Sequence, residues 1–591
     1  MLFSTFSTAL EELEQLSSRL DMTERLAQLF VQLDSSELAP ASYLMQGSLV
    51  PPYLSLEFQL STKMLLRAIA RVPSDFVVGS SLSLFGDEDG SSAEIEVNKR
   101  YKKVGDLGQV VAEWMQVTNS GLTILEVHAA LEKIARFSGT GSQDTKLSAV
   151  VALLSSVDGV SAKFIVRIIL GKVRLGFSAM TMLDALSWAV VGDKSHHKLL
   201  EDAYQKRADI GVLAETYLAD IVASKTDPVA VLAAYSVKVG IPVVPALCHR
   251  LNSSQEIIDK MGEVIAEPKY DGLRVQIHFK RSGFQDGTTV RAYTRNLDDV
   301  THMFPELSEL KNSTDEEALI LDSEAIGYNP ETNELLPFQE TMTRKRKHDI
   351  GAASEKVPIK FFVFDVLFRV NIGLIDKKLR ERKDVLKGLF KNNRTFELAS
   401  YIITSDPVLL REYHEDQLSK GLEGAVIKKV DSDYQSGRKG WKWVKIKEEE
   451  GTSGKLKDTL DVVVMGYYAG RGKRSQFGIG ALLVGVLDET ESVKTIAKIG
   501  TGLSEKRLVD LKQRCDSFAV EKMPSQYVVD GSLAPDVWVH PSLVIEIAAD
   551  EITRSPNHTA GVALRFPRLM SIREDKNWTD ATSIAELDSL Q

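Results

Sequence analysis

Apolar residues recur at helical spacing through TALEELEQLSSRLDMTERLAQLFVQL, residues 8–33, and again in HAALEKIARFS, residues 128–138. The pattern predicts an all-helical region over residues 1–236. Within it, SGTGSQDTK, Ser138 to Lys146, places small and polar residues between two helices. Such a turn exposes backbone amides, or simply joins the helices. In KVGIPVVPALCHR, Pro242 and Pro245 break the helical spacing, and beyond them the period becomes two. Val275, Ile277 and Phe279 alternate with polar residues, GFQDGTTV supplies a turn, and RAYT resumes the alternation. The runs ALILDSEAIGY and KFFVFDVLF read as further strands and KLRERKDVLKGLF as a helix, so residues 237–447 are expected to be mixed α and β. After KEEEGTSGK, the short runs DVVVMGYYAG, ALLVGVLDE and VKTIAKIGTG predict a small barrel over residues 448–591.

Composition narrows the class. The chain has 591 residues, 43% of them hydrophobic and 26% charged, enough for several packed cores and incompatible with disorder throughout. Its net charge of −10 excludes a wholly basic, histone-like binder. Two cysteines, Cys248 and Cys515, cannot form a disulfide framework or a four-cysteine zinc site. No apolar run approaches the ~18 residues that cross a bilayer, and the first residues carry no basic leader. A cytoplasmic protein without membrane association is expected.

Local charge departs from the total. Ser161 to Gly176 holds Lys163, Arg167, Lys172 and Arg174 with no acidic residue. Lys163 and Arg167 would share one helix face, either a solvated surface or a phosphate-binding one. Lys420 to Lys447 holds eight Lys or Arg against three acidic residues. Duplex binding depends on such local cations and not on net charge.

The chemistry concentrates in the middle of the chain. EPKYDGLR sets Lys269 on a turn before a strand, where an amine could act as a nucleophile given desolvation or neighbouring cations. LDSEAIGY supplies Asp322 and Glu324, FVFDVL supplies Phe364, GLEGAVIKK supplies Glu423 and Lys428, and WVKIK supplies Lys445 and Lys447. Two carboxylates, Glu324 and Glu423, can hold a hard divalent ion, Mg²⁺ or Mn²⁺, while Lys445 and Lys447 neutralise an α-phosphate and Phe364 stacks on a purine. No Walker sequence is present.

In order, KYDGLR, TRN (Thr294 to Asn296), LDSEAIGY, FVFDVL, LEGAVIK and WVKIK resemble the motifs of the covalent nucleotidyltransferases. PFQETMTRKRKHDI and GVALRFPRLMSIREDK are similar to the ATP-dependent DNA ligases of archaea and their eukaryotic relatives. GTGSQDTK and FIVRIILGKVRLGFS are similar to that family's helical DNA-binding domain, so the resemblance spans nearly the whole chain. Ser323 stands where that family usually has glycine, and Ala425 to Ile427 replaces a bulkier run.

The resemblance implies a helical DNA-binding domain (1–236), an adenylation domain (237–447) and an OB-fold barrel (448–591). It implies adenylation at Lys269, with Glu267 fixing the adenine, Arg274 and Arg295 meeting AMP or the nick, and Glu324 the ribose or metal. Phe364 would meet the adenine ring, Glu423 the metal, and Lys445 and Lys447 the α-phosphate. Arg438 would join the nucleotide site, and Arg565, Arg568, Arg573 and Lys576 would meet the β and γ phosphates, oriented by Asp575. The substrates would be ATP and a nicked duplex read by shape and backbone, in replication, repair and recombination. A monomer is expected, and a sliding clamp is an open partner, although no convincing clamp-binding peptide is present. An RNA ligase or capping relative and a non-catalytic nick-binding scaffold are the competing readings. A zinc-bearing, NAD-dependent relative conflicts with the two cysteines.

Overall fold

The computed structural model describes residues 1–74, 91–115, 121–222, 226–341, 357–391, 393–437, 439–447, 459–470, 472–490, 492–501, 503–549 and 551–589. Arg438 and the basic run Arg344 to Lys347 therefore lie outside the described residues. The chain forms two compact units, Met1–Glu88 with Val111–Gly451, and Asp89–Val110 with Thr452–Gln591. No helix among the described residues is long and apolar enough to cross a membrane.

The first unit opens with helices. Phe3–Gln15 buries Phe3, Phe6, Leu10 and Leu13 along one stripe, as the helical spacing predicts. The helix Ile124–Arg136 starts at a capping box, in which Thr123 and Glu126 satisfy each other's backbone amides. In Gly159–Ile169 the two cations of KFIVRIIL behave differently from a solvent-facing basic pair. Lys163 and Arg167 are each only 3% exposed and turn onto the first helix. Arg167 forks across both oxygens of Glu14 at 2.9 Å, and Lys163 reaches Glu11 at 3.2 Å and Glu14 at 2.8 Å. Both cations are thus engaged in an ion-pair cluster between two helices, with Glu11 and Glu14 at its partly exposed edge. Lys172 is exposed and Arg174 half-buried, on the segment that follows.

Two β-sheets complete this unit. One has the order β1-β11-β10-β2-β9, where β1 is His249–Arg250, β2 Val264–Pro268, β9 Ile402–Thr404, β10 Ala425–Lys429 and β11 Trp443–Ile446. The other runs β4-β3-β5-β6-β7, with β8 on β6, where β3 is Leu273–Lys280, β4 Val290–Thr294, β5 Ala318–Gly327, β6 Ile359–Arg369, β7 Ile372–Gly373 and β8 Phe396–Leu398. Val275, Ile277 and Phe279 pack with Leu319, Leu321, Phe361 and Val363, as their alternation predicts. The polar positions between them are buried as well, a feature the alternation hides. Gln276 Oε1 accepts from Val243 N at 2.8 Å, and His278 Nδ1 accepts from Gly240 N at 2.9 Å. The segment that breaks the helical pattern at Pro242 thus lies across the second face of β3 and finds its hydrogen-bond partners there. Ser323, in place of the family's usual glycine, is buried and donates to Val275 O at 2.8 Å.

In the second unit, β12 (Leu460–Tyr468), β13 (Ala481–Leu487) and β14 (Val493–Ile499) form an antiparallel meander within an eight-stranded sheet. The sheet folds around Val462, Val464, Leu482, Val484, Ile496 and Leu511, a half-barrel of OB type. The fold is therefore helical, then mixed α/β, then barrel, as expected.

Candidate active site

A cavity of about 610 Å³ lies between the two sheets of the first unit. On one side, register brings Glu267 of β2, Val426 of β10 and Lys445 of β11 into a single cross-strand row. Residues two apart share a strand face, so Lys428 and Trp443 lie beside them, and all five line the cavity. The opposite face, with Ala266, Ile427 and Val444, packs into its own core.

On the other side, Arg274 of β3 stands directly across from Glu324 of β5. A bulge shapes the next strand. Asp322 pairs with Asp365 and Ser323 with Val363, so Phe364 is the extra residue. A bulge bends the strand and re-aims a side chain, and Phe364 here reaches the cavity wall. Arg295, exposed on the turn after β4, lines the cavity too.

Lys269 sits where the β2 end meets the loop before β10. Its N–H donates to Gly424 O at 2.8 Å, and its carbonyl accepts from Glu423 N at 3.1 Å. Gly424 holds φ +118°, and a Cβ there would come 2.3 Å from Ile446 O, so only glycine allows this approach. The side chains meet as well. Glu423 Oε2 is 2.5 Å from Lys269 Nζ and 2.7 Å from Lys447 Nζ. Burial alone would raise the Glu423 carboxyl, but Lys269 and Lys447 overcome it and hold it down at about 2. Glu324 goes the other way: burial pushes it to about 8, against the pull of Lys269 and Arg274.

Arg274 is fixed before any ligand arrives. It forks onto Asp322 at 3.0 and 2.6 Å and donates to Ala246 O at 2.5 Å, and its Nη2 lies 3.2 Å from the Tyr434 hydroxyl. Tyr434 in turn donates to Asp322 at 2.9 Å. Below the cavity, Lys428 pairs with Glu267 at 2.6 Å and lies over the Phe364 and Trp443 rings, 4.3 and 4.2 Å from their centroids. Lys383 pairs with the other oxygen of Glu267, and its neighbour Arg382 forks onto Asp365 at 2.7 and 3.0 Å.

The structure thus gathers Glu267, Lys269, Arg274, Arg295, Glu324, Phe364 and Lys445 around one cavity, with Glu423 and Lys447 joined to Lys269. Sequence reasoning missed Lys383, Tyr434 and Trp443. Lys383 and Trp443 lie in runs read only as a helix and as the carrier of Lys445 and Lys447, and the one signal at Tyr434 was an aromatic residue within a basic stretch. In the second unit, Arg565 is exposed at the end of the strand Val562–Arg565 and Arg568 begins the strand Arg568–Ile572. Arg573 binds Asp461 at 3.1 and 3.2 Å and Asp575 at 2.9 and 2.7 Å, and Lys576 reaches Asp461 at 2.7 Å. Asp461, the shared acceptor, was not foreseen.

A lysine amine at the mouth of a cavity walled by two small sheets, with cations and carboxylates facing inward, defines a nucleotidyltransferase. The chain matches "DNA ligase N terminus" over residues 2–187, "ATP dependent DNA ligase domain" over 245–447 and "ATP dependent DNA ligase C terminal region" over 475–576. It is 39% identical to "Probable DNA ligase" of Dictyoglomus thermophilum, covering 99% of this chain and 97% of the relative. It is 35% identical to "DNA ligase" of Sulfurisphaera tokodaii, covering 99% and 97%, and 34% identical to "DNA ligase 1" of Methanosarcina acetivorans, covering 100% and 99%. The solved structure described as "Pmar-Lig_PreS3" shares the fold with a TM-score of 0.54 at 15% identity, covering 96% of this chain and 99% of that one. The chain belongs to the ATP-dependent DNA ligases, enzymes that seal nicks in duplex DNA with ATP.

Proposed function

We propose that Lys269 is the nucleophile of this ligase. Its Nζ attacks the α-phosphorus of ATP, the bond to pyrophosphate breaks, and AMP is left on the lysine nitrogen. The 5′-phosphate of a nick then takes AMP from the lysine, and the 3′-hydroxyl finally displaces it as the strand is joined. The observation that carries this reading is the shared carboxylate: Glu423 Oε2 touches Lys269 and Lys447 together at the edge of the cavity. An ammonium has no lone pair, so Lys269 must give up a proton before its nitrogen bonds phosphorus, and a second cation on the same carboxylate, Lys447, favours the neutral amine.

Phe364 and Glu267 would take the adenine, Lys445 and Lys447 the α-phosphate, and Arg274 and Arg295 the AMP or the nick. Arg438 would belong to the same site. Arg565, Arg568, Arg573 and Lys576 would stabilise charge on departing pyrophosphate. Glu324 and Glu423 supply hard oxygen donors that feel each other's charge, which fits Mg²⁺ or Mn²⁺ with phosphate and water completing the shell. Such an ion would neutralise nonbridging phosphate oxygens. Lys172 and Arg174 would contact the DNA backbone, whereas Lys163 and Arg167 would act by holding their helices. The three domains would be 1–236, 237–447 and 448–591, working as a monomer in the cytoplasm in replication, repair and recombination, with or without a sliding clamp.

The test is incubation with α-labelled ATP and Mg²⁺, then denaturing electrophoresis, for the native chain and Lys269→Ala. An acid-labile label on the native chain alone, released as AMP by nicked DNA, is expected. Equal labelling of both chains would overturn the assignment.

A further inference from the structure

Beneath the cavity lies a cluster of five charged side chains withdrawn from water. Glu267, Asp365, Arg382, Lys383 and Lys428 are 3, 0, 0, 3 and 1% exposed. Three cations face two anions. Arg382 is committed to Asp365 through both guanidinium branches and satisfies its remaining nitrogen on Lys377 O at 2.6 Å. Lys383 and Lys428 are left to Glu267, one on each oxygen. Arg382 and Lys383 are successive residues of one helix, Leu379–Leu386, so a single turn of helix delivers both buried cations.

Of these groups, Glu267 and Lys428 line the cavity and Lys383 does not. Lys383 therefore touches the carboxylate from behind. A carboxylate with a lysine on each oxygen has two of about four acceptor sites left and no proton to donate. It can accept from an exocyclic amine, as adenine carries at C6. It opposes a carbonyl oxygen, as guanine carries at the same position. Without one of these cations the buried carboxylate would lose a partner that fixes its orientation toward the cavity, and with it the alignment that favours an amine over a carbonyl.

We propose that Lys383 is a positioning residue which, with Lys428, keeps Glu267 an acceptor only and so sets selectivity for ATP over GTP. This rests on the nucleotide reading of the cavity given above. Sites built around one hydrogen-bonding pattern reject the opposite pattern strongly, because the mismatch leaves buried polar groups unpaired.

The experiment measures the rate of lysyl-nucleotide formation with α-labelled ATP and α-labelled GTP on the full chain. It compares the native protein, Lys383→Gln, Lys383→Met and Lys383→Arg, with Glu267→Gln as a reference that can both donate and accept. The ATP-to-GTP ratio should fall roughly tenfold or more in Lys383→Gln and Lys383→Met, stay near native in Lys383→Arg, and collapse in Glu267→Gln. Parallel loss of both rates in Lys383→Gln and Lys383→Met, with the ratio unchanged, would make Lys383 a purely structural residue and overturn the inference. The native chain serves as the separate check, since failure to take AMP at all would refute the nucleotide reading itself.

Discussion

Removing the carboxylate of Asp365 leaves Arg382 as a buried cation with two carbonyl contacts and no counter-charge. Both side chains are wholly inaccessible, and burial would raise the Asp365 carboxyl were it not for Arg382, which holds it below its ordinary range. Breaking one side of such a pair costs about 3–5 kcal/mol, since the remaining charge stays desolvated. Folded domains are stable by only about 5–15 kcal/mol, so Asp365→Ala should consume a large share of the margin. Because the chain has several domains, a local readout is preferable to a global melt. Hydrogen exchange of the peptide spanning Ile359–Arg369 reports opening of β6 directly, and its rate should rise on the order of 10²–10⁴-fold in Asp365→Ala. The apolar double variant Asp365→Leu with Arg382→Met removes both charges together and should exchange close to the native rate. An Asp365→Ala rate within tenfold of native, or a double variant as fast as the single one, would refute the account.

Three further outcomes are expected. Glu324 has a folded value near 8 against 4.5 unfolded, so its contribution to stability is fully present below about pH 4.5 and is lost as pH rises through 8. Thermal melts without nucleotide or metal should show Glu324→Gln gaining on the native chain between pH 5 and 8, by up to about 5 kcal/mol, and a constant difference would refute this. Tyr434→Phe removes the hydroxyl that Asp322, Arg274 and Ala246 N share, and should cost about 1–3 kcal/mol in urea unfolding with a raised KM for ATP. Lys163→Met should leave the salt dependence of DNA binding unchanged, whereas Lys172→Ala should reduce the log–log slope by about 0.9. Equal slope changes would show that Lys163 meets phosphate after all.

Legibility followed sequence distance. The candidate nucleotide-site residues could be picked out because each sits in a short motif whose strand period fixes its face, as with Glu324 and Asp322, or Lys445 and Lys447. The ion pairs of Lys163 and Arg167 were not legible because their partners, Glu11 and Glu14, lie 152 and 153 residues away in another helix. Lys383 was hidden for the same reason. KLRERKDVLKGLF looks like a solvated charged helix until β2 and β6 bring Glu267 and Asp365 against it. The burial of Gln276 and His278 was also beyond a period-two pattern, which gives one apolar face but not what covers the other.

The backbone exchange between Lys269 and the Glu423–Gly424 step has a mechanical meaning. The Lys269 amine and the Glu423 carboxylate paired with it hang from one stitched piece of main chain, locked by a glycine that no side chain can replace. Their separation is then set by torsions of two flexible side chains over a rigid mount. A change of partner at Glu423, from Lys269 to Lys447 alone, therefore asks for side-chain rotation and leaves the main chain where it is.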